Sequence, residues 1–299
     1  MNWEIEIKEF KNYLKFEKGL SDNSILAYIS DLEKLEHFLI DSGYEITPME
    51  VKLTHLKELL FNINDVGLHI LSQARIISGI KAFFKFLMIE GKISEDPSTL
   101  LEAPKIGRKL PDVLSIDEID TLINAIDLNK AEGQRNKAII ETLFGCGIRV
   151  SELINIKISN MFLDMGFIKV EGKGNKERFV PIGEKAINEI NIYLKKKRNT
   201  LNINKIDEDI LFLNCRGKKL TRVMIFTIIK DLMKKVNIHK NISPHTFRHS
   251  FATHLIDGGA NLRAVQEMLG HESITTTEIY THLNREYLKN TIIQYHPRS

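Results

Sequence analysis

A proline-bearing segment near residue 100 is the feature that most limits how this 299-residue chain can fold. The stretch DPSTLLEAPKIGRKLPDVLS contains three prolines beside a cluster of basic residues. Proline fixes φ, removes a backbone donor and disfavours helix at the residue before it. We therefore expect a domain over residues 1–103, an extended linker over 104–112 and a second domain over 113–299. Ser115 and Glu118, spaced as in a capping box, predict that helix resumes directly after the linker.

The composition is that of a globular protein with a large core. Hydrophobic residues make up 43% of the chain and charged residues 27%. No apolar run is long enough for a membrane span, and MNWEIEIKEF lacks the apolar stretch of a signal peptide. The two cysteines, Cys146 and Cys215, have no metal-like spacing. These features predict a cytoplasmic protein with no membrane segment and reduced thiols.

The charge is unevenly distributed between the two predicted domains. The chain as a whole has a net charge of +3. Residues 1–110 hold 14 Lys and Arg against 17 Asp and Glu, a net charge of −3, so the remainder has a net charge of +6. If the ligand is a nucleic acid, the second domain supplies most of the attractive field, and the first depends on a local basic face.

The first domain is predicted to be helical throughout. Four segments carry helical apolar spacing: WEIEIKEFKNYLKFEKGL, SDNSILAYISDLEKLEHFLIDSG, the stretch opened by Thr47-Pro48, and SQARIISGIKAFFKFLMIEG. On the last of these, Ser78, Lys81 and Lys85 share one face, flanked by Arg75. That face is typical either of a DNA contact or of ordinary solvated lysines, and the spacing alone does not separate the two.

The second domain is predicted to be mainly helical with a small β element. GFIKVEGKGNKERFVPIG contains two β-rich apolar runs separated by GKGNK, which predicts a hairpin with a glycine-rich tip at Lys173. DILFLN suggests a further short strand. A lysine at such a tip is either an ordinary surface residue or a mobile proton donor.

Three histidines and an arginine crowd the stretch HTFRHSFATH, residues 245–254. Ser243-Pro244 is a typical helix start, which places His245 and Arg248 on neighbouring faces. Together they form a suitable anion site, because arginine offers planar donors matched to phosphate oxygens.

Metal binding by these histidines is the less favoured interpretation. His254 lies about 180° from His245 at ~100° per residue, so one ion cannot collect all three side chains. A zinc ion on His245 and His249 would need a third ligand and would face Arg248. We expect no metal; His249 is interpreted as a structural hydrogen-bonding residue and His254 as a core residue with its hydrogen bonds satisfied.

Other candidate residues lie outside this stretch. FGCGIRVSEL places Arg149 just after two glycines, His271 follows Gly270 at a helix end, and Tyr280 lies in a threonine-rich stretch. A lone tyrosine is more often a packing residue than a nucleophile. The sequence has no P-loop and no dinucleotide fingerprint, so nucleotide hydrolysis has no visible machinery.

The motifs TLFGCGIRVSELINI (142–156) and HTFRHSFATHLIDGGANLRAVQEMLGHESITTTEIYTHL (245–283) resemble those of the tyrosine recombinases. Within that family the bacterial Xer recombinases are the most similar, and the resemblance extends over essentially the whole chain. It implies a mainly α fold with a small β-hairpin or sheet in the catalytic domain, arranged as a two-domain, C-shaped DNA clamp. The implied first domain is a SAM-like core-binding domain, and the catalytic domain ends in a helix that docks into a neighbouring subunit.

The resemblance also implies the catalytic residues. They are two phosphate-binding arginines, Arg149 and Arg248; a hairpin lysine, Lys173; two histidines, His245 and His271; and the nucleophile Tyr280. The reaction implied is cleavage and rejoining of duplex DNA through a 3′-phosphotyrosine, with no metal, ATP or other cofactor.

The implied partners are double-stranded DNA bearing a specific site, three further subunits in a tetramer, a related Xer subunit and a septal DNA translocase. The implied role is resolution of chromosome dimers before cell division. Two alternatives remain open: a mobile-element integrase with the same chemistry, and a DNA-binding accessory protein that never cleaves.

Overall fold

The chain is mainly helical with one small sheet, which confirms the predicted fold class. The computed structural model describes residues 3–104, 112–172, 176–270 and 282–298, with the backbone alone for 282–284. The protein folds as two compact units, Met1–Lys109 (unit 1) and Leu110–Ser299 (the catalytic unit).

The helices and strands follow one another in a simple order. The helices are α1 (Trp3–Phe16), α2 (Asp22–Asp41), α3 (Leu53–Asp65), α4 (Ile70–Ile89), α5 (Ile116–Asn124), α6 (Gly133–Cys146), α7 (Val150–Leu153), α8 (Glu184–Lys196), α9 (Arg222–Val236), α10 (Pro244–Asp257), α11 (Leu262–Leu269) and α12 (His282–Tyr295). The strands are β1 (Met161–Phe162), β2 (Phe167–Glu171) and β3 (Glu177–Pro181). Within the ranges given above, no helix combines the length and the apolar character needed to cross a membrane.

Unit 1 forms around the apolar faces that its helical spacing predicts. Ser21 caps α2, and its side chain accepts a hydrogen bond from the Ser24 N–H. The first helix ends earlier than predicted, at Phe16, because Gly19 adopts a left-handed conformation in the turn that follows. The core-facing residues of α4 are fully buried: Ile76, Ile80, Phe83, Phe84 and Leu87.

Helix α6 is the centre of the catalytic unit. Every residue from Ala138 to Cys146 is buried, and α8 and α10 pack against this helix. The predicted capping box starts α5, where the Ser115 side chain accepts from the Glu118 N–H and the Glu118 carboxylate accepts from the Ser115 N–H.

The predicted hairpin is present, and it belongs to a three-stranded antiparallel sheet in the order β1-β2-β3. Phe167 pairs with Pro181 and Glu171 with Glu177. Residues 173–175 at its tip lie outside the described residues. The strand predicted from DILFLN is wrong: in the described chain Ile210 and Leu213 form only isolated bridges, with Lys157 and Lys219. Their apolar neighbours are buried in the core without belonging to a ladder.

The C-terminal helix packs within its own catalytic unit. Leu288 and Ile292 are 1% and 2% exposed, in a cluster that includes Phe251 of α10. Beyond the helix, Arg298 forms ion pairs with Glu141 and Asp120. Less of the apolar face is therefore left for a neighbouring subunit than the sequence suggested, and docking between subunits stays a prediction.

Substitution of Leu288 tests this internal packing. Leu288→Ala should lower the free energy of unfolding of the catalytic unit by about 2–5 kcal/mol, because it leaves a cavity in a closed cluster. Ile293→Ala is the matched control: its side chain is 57% exposed, so it should change stability by at most about 0.5 kcal/mol. Urea unfolding followed by circular dichroism measures both. Equal effects of the two substitutions would contradict the assigned packing.

Candidate active site

Arg248 lies at the centre of a polar cluster between α10 and the end of α11. Its side chain is 8% exposed; Nη1 donates to the Gly147 carbonyl at 2.9 Å and Nη2 to the Leu269 carbonyl at 2.5 Å. Burial, together with the neighbouring charge of Arg149, lowers the pKa of Arg248 to about 10, although the nearby Glu152 carboxylate acts in the opposite direction. The group still remains protonated at neutral pH.

The end of α6 sets the position of this arginine. The helix stops at Gly147, which has a φ of +57° in the left-handed region. A Cβ on this glycine would lie 2.3 Å from Phe251 Cδ1, so a larger residue cannot be accommodated without movement. Because the Gly147 carbonyl then points at Arg248, the glycine has both a conformational and a steric role. The chain continues directly into Arg149.

Arg149 is held from two sides. Its backbone N–H donates to Glu152 Oε2 at 2.8 Å, and its Nη1 lies 2.9 Å from Glu152 Oε1. Its Nη2 donates to the Gly270 carbonyl at 3.3 Å. Arg149 and Arg248 thus reach the carbonyls of consecutive residues at the end of α11, which brings the two guanidinium groups together.

A buried ion pair supports both arginines. Arg178 of β3 forms a bidentate ion pair with Glu152, in which Nη1 donates to Oε1 at 2.7 Å and Nη2 donates to Oε2 at 2.9 Å. Its Nε donates to the Met268 carbonyl at 3.1 Å. Burial alone would raise the pKa of Glu152, but hydrogen bonds and charge from Arg178, with bonds from Arg149, lower it below its ordinary value. Glu152 is therefore ionised at neutral pH.

Two glycines allow other segments to approach this cluster. Gly270 ends α11 with a φ of +65°, and a Cβ there would lie only 3.0 Å from Arg178 Nε. At the base of the hairpin tip, a Cβ on Gly172 would lie 3.4 Å from Arg178 Nη1 and 3.7 Å from Glu152 Oε1. Gly172, at the base of the hairpin tip, and Gly270, at the end of α11, therefore both lie beside Arg178.

Positive charge exceeds negative charge in this cluster. Among the described residues, the three guanidinium groups of Arg149, Arg178 and Arg248 lie around one carboxylate, that of Glu152, which is an excess of two positive charges. Arg178 is committed to Glu152 and the backbone. Arg149 is 35% exposed at its side chain and is available to a ligand. A phosphodiester, with one negative charge and two non-bridging oxygens, matches the two remaining arginines.

Comparison with known proteins identifies what kind of protein carries this site. Residues 112–286 match the family model described as "Phage integrase family". Residues 7–91 match "Phage integrase, N-terminal SAM-like domain". The chain belongs to the phage integrase family of tyrosine recombinases.

Individual relatives agree with the family assignment. The chain is 42% identical over 301 residues to "Tyrosine recombinase XerD" of Staphylococcus haemolyticus, covering 98% of this chain and 99% of that protein. The crystal structure of XerA recombinase is 31% identical, with a TM-score of 0.50 over 99% of this chain and 100% of that one. The Tn1549 transposon integrase in complex with circular intermediate DNA has a TM-score of 0.73 at 22% identity, covering 94% and 98%. It shows the shared fold.

The structure brings together only part of the predicted site of this recombinase. Arg149 and Arg248 lie side by side as described, and His245 is exposed in the first turn of α10. Lys173, His271 and Tyr280 lie outside the described residues, so their roles remain predictions.

The other histidines of α10 differ in their surroundings. His254 has a backbone partner, the Leu114 carbonyl at 2.8 Å, as predicted for a histidine with a satisfied hydrogen bond, but it is half-buried and not a core residue. His249 is exposed. In the part of the chain that the structure describes, no three His, Cys, Asp or Glu side chains are grouped closely enough to hold a metal ion.

Glu152 and Arg178 were not singled out by the sequence reasoning. One signal was available for Arg178: strand alternation puts it on the same face as the buried Val180, where a charge needs a partner. For Glu152 the signal was its position three residues after Arg149, at the start of a short helix. Neither signal identifies the two as a pair, since 26 residues separate them.

The predicted DNA-contacting face of unit 1 contains one strongly held residue. Arg75 Nη1 lies 2.6 Å from the buried carboxylate of Asp31 and also donates to the Ala27 carbonyl at 3.2 Å. Lys85 and Ser78 are exposed, while Lys81 is half-buried. Ser78 donates its hydroxyl to the Ala74 carbonyl at 2.9 Å. Arg75 is therefore oriented by its partners, and the role of this face in DNA binding stays a prediction.

The depressed pKa of Glu152 predicts a pH-dependent contribution to stability. A carboxylate whose folded pKa lies below its ordinary value of 4.5 stabilises the fold above that pH and loses this effect as the pH falls through the folded pKa. Glu152→Gln should therefore be less stable than wild type by about 3–5 kcal/mol at pH 7. The difference should shrink towards pH 3, because the wild-type carboxyl becomes neutral too.

Urea unfolding at pH 7, 5 and 3 measures this difference. The matched control is Glu177→Gln on β3, whose side chain is 54% exposed and pairs with Lys169 at the surface. It should have little effect on stability at any pH. A difference between wild type and Glu152→Gln that is the same at all three pH values would contradict the ionised pair.

Proposed function

We propose that this recombinase cuts and rejoins duplex DNA at specific sites through a covalent bond between Tyr280 and a 3′ phosphate. The observation that carries the proposal is the cluster of Arg149, Arg178 and Arg248 around Glu152, in which positive charge exceeds negative charge and the side chain of Arg149 is partly exposed. The 42% identity to a tyrosine recombinase named XerD supports the same chemistry.

The positions of two glycines support roles for Lys173 and His271. Each of these residues directly follows a glycine that approaches Arg178, Gly172 in one case and Gly270 in the other. Since consecutive Cα atoms are about 3.8 Å apart, a long side chain at either position can reach a phosphate bound at the arginines. Tyr280 belongs to the segment that connects Gly270 with α12.

The proposed cleavage is an exchange of one phosphodiester for another. The Tyr280 oxygen attacks the phosphorus, the bond between phosphorus and the 5′ oxygen breaks, and the electron pair leaves with that oxygen. A phenol has a pKa near ~10, so the attack needs a base. His245, exposed in the first turn of α10, accepts the phenol proton, and Lys173 donates a proton to the leaving 5′ oxygen.

The arginines stabilise the transition state. Charge develops on the non-bridging oxygens as the tyrosine attacks, and Arg149, Arg248 and His271 donate hydrogen bonds to those oxygens. Because the carbonyls of Gly147, Leu269 and Gly270 already orient the two arginines, little reorganisation is needed. Attack by a 5′ hydroxyl of the partner strand then releases Tyr280, and the phosphodiester energy is conserved without ATP.

The biological role proposed is the resolution of chromosome dimers before cell division, in the cytoplasm. Four active sites are needed for two duplexes, so the working form is a tetramer, with a related Xer subunit and a septal translocase as further partners. Unit 1 adds DNA contacts through Arg75, Ser78, Lys81 and Lys85. A genome-wide binding map tests the role: sites clustered at the replication terminus support it, whereas sites at the ends of a mobile element would indicate an integrase.

The nucleophile is tested by removing a single oxygen. Tyr280→Phe should bind DNA with unchanged affinity and form no covalent adduct with a nicked suicide substrate, because only the hydroxyl is lost. Denaturing gel electrophoresis of labelled DNA measures the adduct. An adduct formed by the variant would overturn the assignment. Absence of an adduct with the wild type would indicate a non-cleaving accessory protein.

The proton donor is tested by changing the leaving group. Lys173→Ala should cleave ordinary DNA about 10²–10⁴-fold more slowly than wild type, as expected for a lost general acid. On DNA with sulfur at the bridging 5′ position, the variant should cleave nearly as fast as wild type, because a thiolate leaves without protonation.

Arg248→Ala is the matched control for this experiment. It should stay slow on both substrates, since the sulfur leaves the non-bridging oxygens unchanged. If Lys173→Ala is equally impaired on both substrates, the lysine positions the phosphate or the hairpin and is not the acid.

A further inference from the structure

Residues 112–115, the anchor segment, are held more firmly than their irregular backbone suggests. The segment has neither helix nor strand, and it lies between the chain leaving unit 1 and the first turn of α5. Leu114 in its middle is 0% exposed and belongs to the same core cluster as Phe247 of α10. The N–H and C=O groups of a buried backbone without helix or strand need hydrogen-bond partners from elsewhere.

Both backbone groups of Leu114 are bound by side chains of α10. Its N–H donates to Ser250 Oγ at 2.8 Å, and its carbonyl lies 2.8 Å from His254 Nε2, which must carry the proton. Ser250 is fully buried, and its hydroxyl donates a hydrogen bond to the Thr246 carbonyl at 2.8 Å. The ring of His254 is fixed edge-on against Phe144, with 5.8 Å between centroids.

Two residues just before α10 form further hydrogen bonds with the anchor segment. Lys240 Nζ donates to the Val113 carbonyl at 2.9 Å, and the Asn241 N–H donates to the carboxylate of Asp112 at 3.2 Å. Residues 112, 113 and 114 are thus all hydrogen-bonded, directly before Ser115 caps α5. Such a run of bonds fixes both the position and the direction of the chain as it enters the catalytic unit.

The hydrogen bonds to Leu114 lie on the side of α10 opposite His245 and Arg248. Ser250 and His254 are four residues apart and share one face. At ~100° per residue, that face lies about 170° from the one shared by His245 and Arg248. Helix α10 therefore has His245 and Arg248 on one side and binds the anchor segment on the other.

We propose that Ser250 and His254 are positioning residues that hold the anchor segment, directly after the predicted linker, against α10. The fastening fixes the length and direction of the chain through which unit 1 reaches DNA. This proposal rests on the function proposed above. If these hydrogen bonds are lost, the direction of the chain at residues 112–114 is no longer set, and it must be fixed again each time both units bind one duplex.

The expected effect is on affinity and not on chemistry. Ordering the backbone of one residue changes an equilibrium constant about fivefold to thirtyfold. His254→Leu, which removes the donor, should therefore bind DNA at least about fivefold more weakly than wild type, while the rate of cleavage at saturating DNA stays the same. His254→Gln keeps an N–H donor and should restore most of the affinity.

The probe is a fluorescein-labelled duplex of the strongest site in the genome-wide map, measured by fluorescence anisotropy, with a nicked version of the same duplex for cleavage. A linker variant with three glycines inserted after Arg108 supplies the decisive comparison. In this variant the inserted residues already release unit 1 from the direction set by the anchor segment, so adding His254→Leu to it should weaken binding by less than about twofold.

Two results would overturn the proposal. One is an equal loss of affinity from His254→Leu with and without the inserted glycines; the other is a fall in the saturated cleavage rate at unchanged affinity. Either would mean that Ser250 and His254 only stabilise α10 itself.

Ser250→Ala repeats the test if His254→Leu fails to fold. Wild-type protein that binds the duplex but forms no adduct would count against the proposed function and leave this affinity test intact.

Discussion

The site depends on one buried carboxylate, that of Glu152. A buried charge is tolerated only when it is paired and fully hydrogen-bonded, and Glu152 meets this condition through Arg178 of β3 and both the backbone and side chain of Arg149. It therefore joins the sheet to the loop after α6. Because Arg178 also binds the Met268 carbonyl, the same interaction fixes the end of α11.

The consequence for phosphate binding is preorganisation. Arg248 is desolvated and close to another cation, both of which disfavour its charged form. The charge persists because carbonyl dipoles of Gly147 and Leu269 point at it and because Glu152 lies nearby. A phosphate that enters this site replaces lost hydration and relieves repulsion between the arginines, which favours binding of an anion over a neutral group.

Much of this arrangement could be predicted from local sequence, and the rest required tertiary contacts. Helical spacing and capping residues predicted α2, α4 and α5, and strand alternation predicted the hairpin. Arg149 and Arg248 were singled out from their local sequence, and the family resemblance supplied their catalytic roles. The link between Glu152 and Arg178 was missed because it joins distant segments, and DILFLN was misread because buried apolar chain has the same composition as a strand. The C-terminal helix α12 was expected from the family resemblance, but the sequence does not show which surface covers its apolar face.

Apart from the Glu152 carboxylate, the acceptors used by the arginines are main-chain carbonyls, those of Gly147, Met268, Leu269 and Gly270. Every amino acid supplies the same carbonyl oxygen. The requirement therefore falls on the path of the backbone, and side-chain identity is restricted only where a glycine conformation or a close approach is needed. Residues 268 and 269 are free to vary among apolar residues of suitable size while the arginines keep their geometry. Apolar substitutions at the end of α11 can thus occur without changing the hydrogen bonds that orient the arginines.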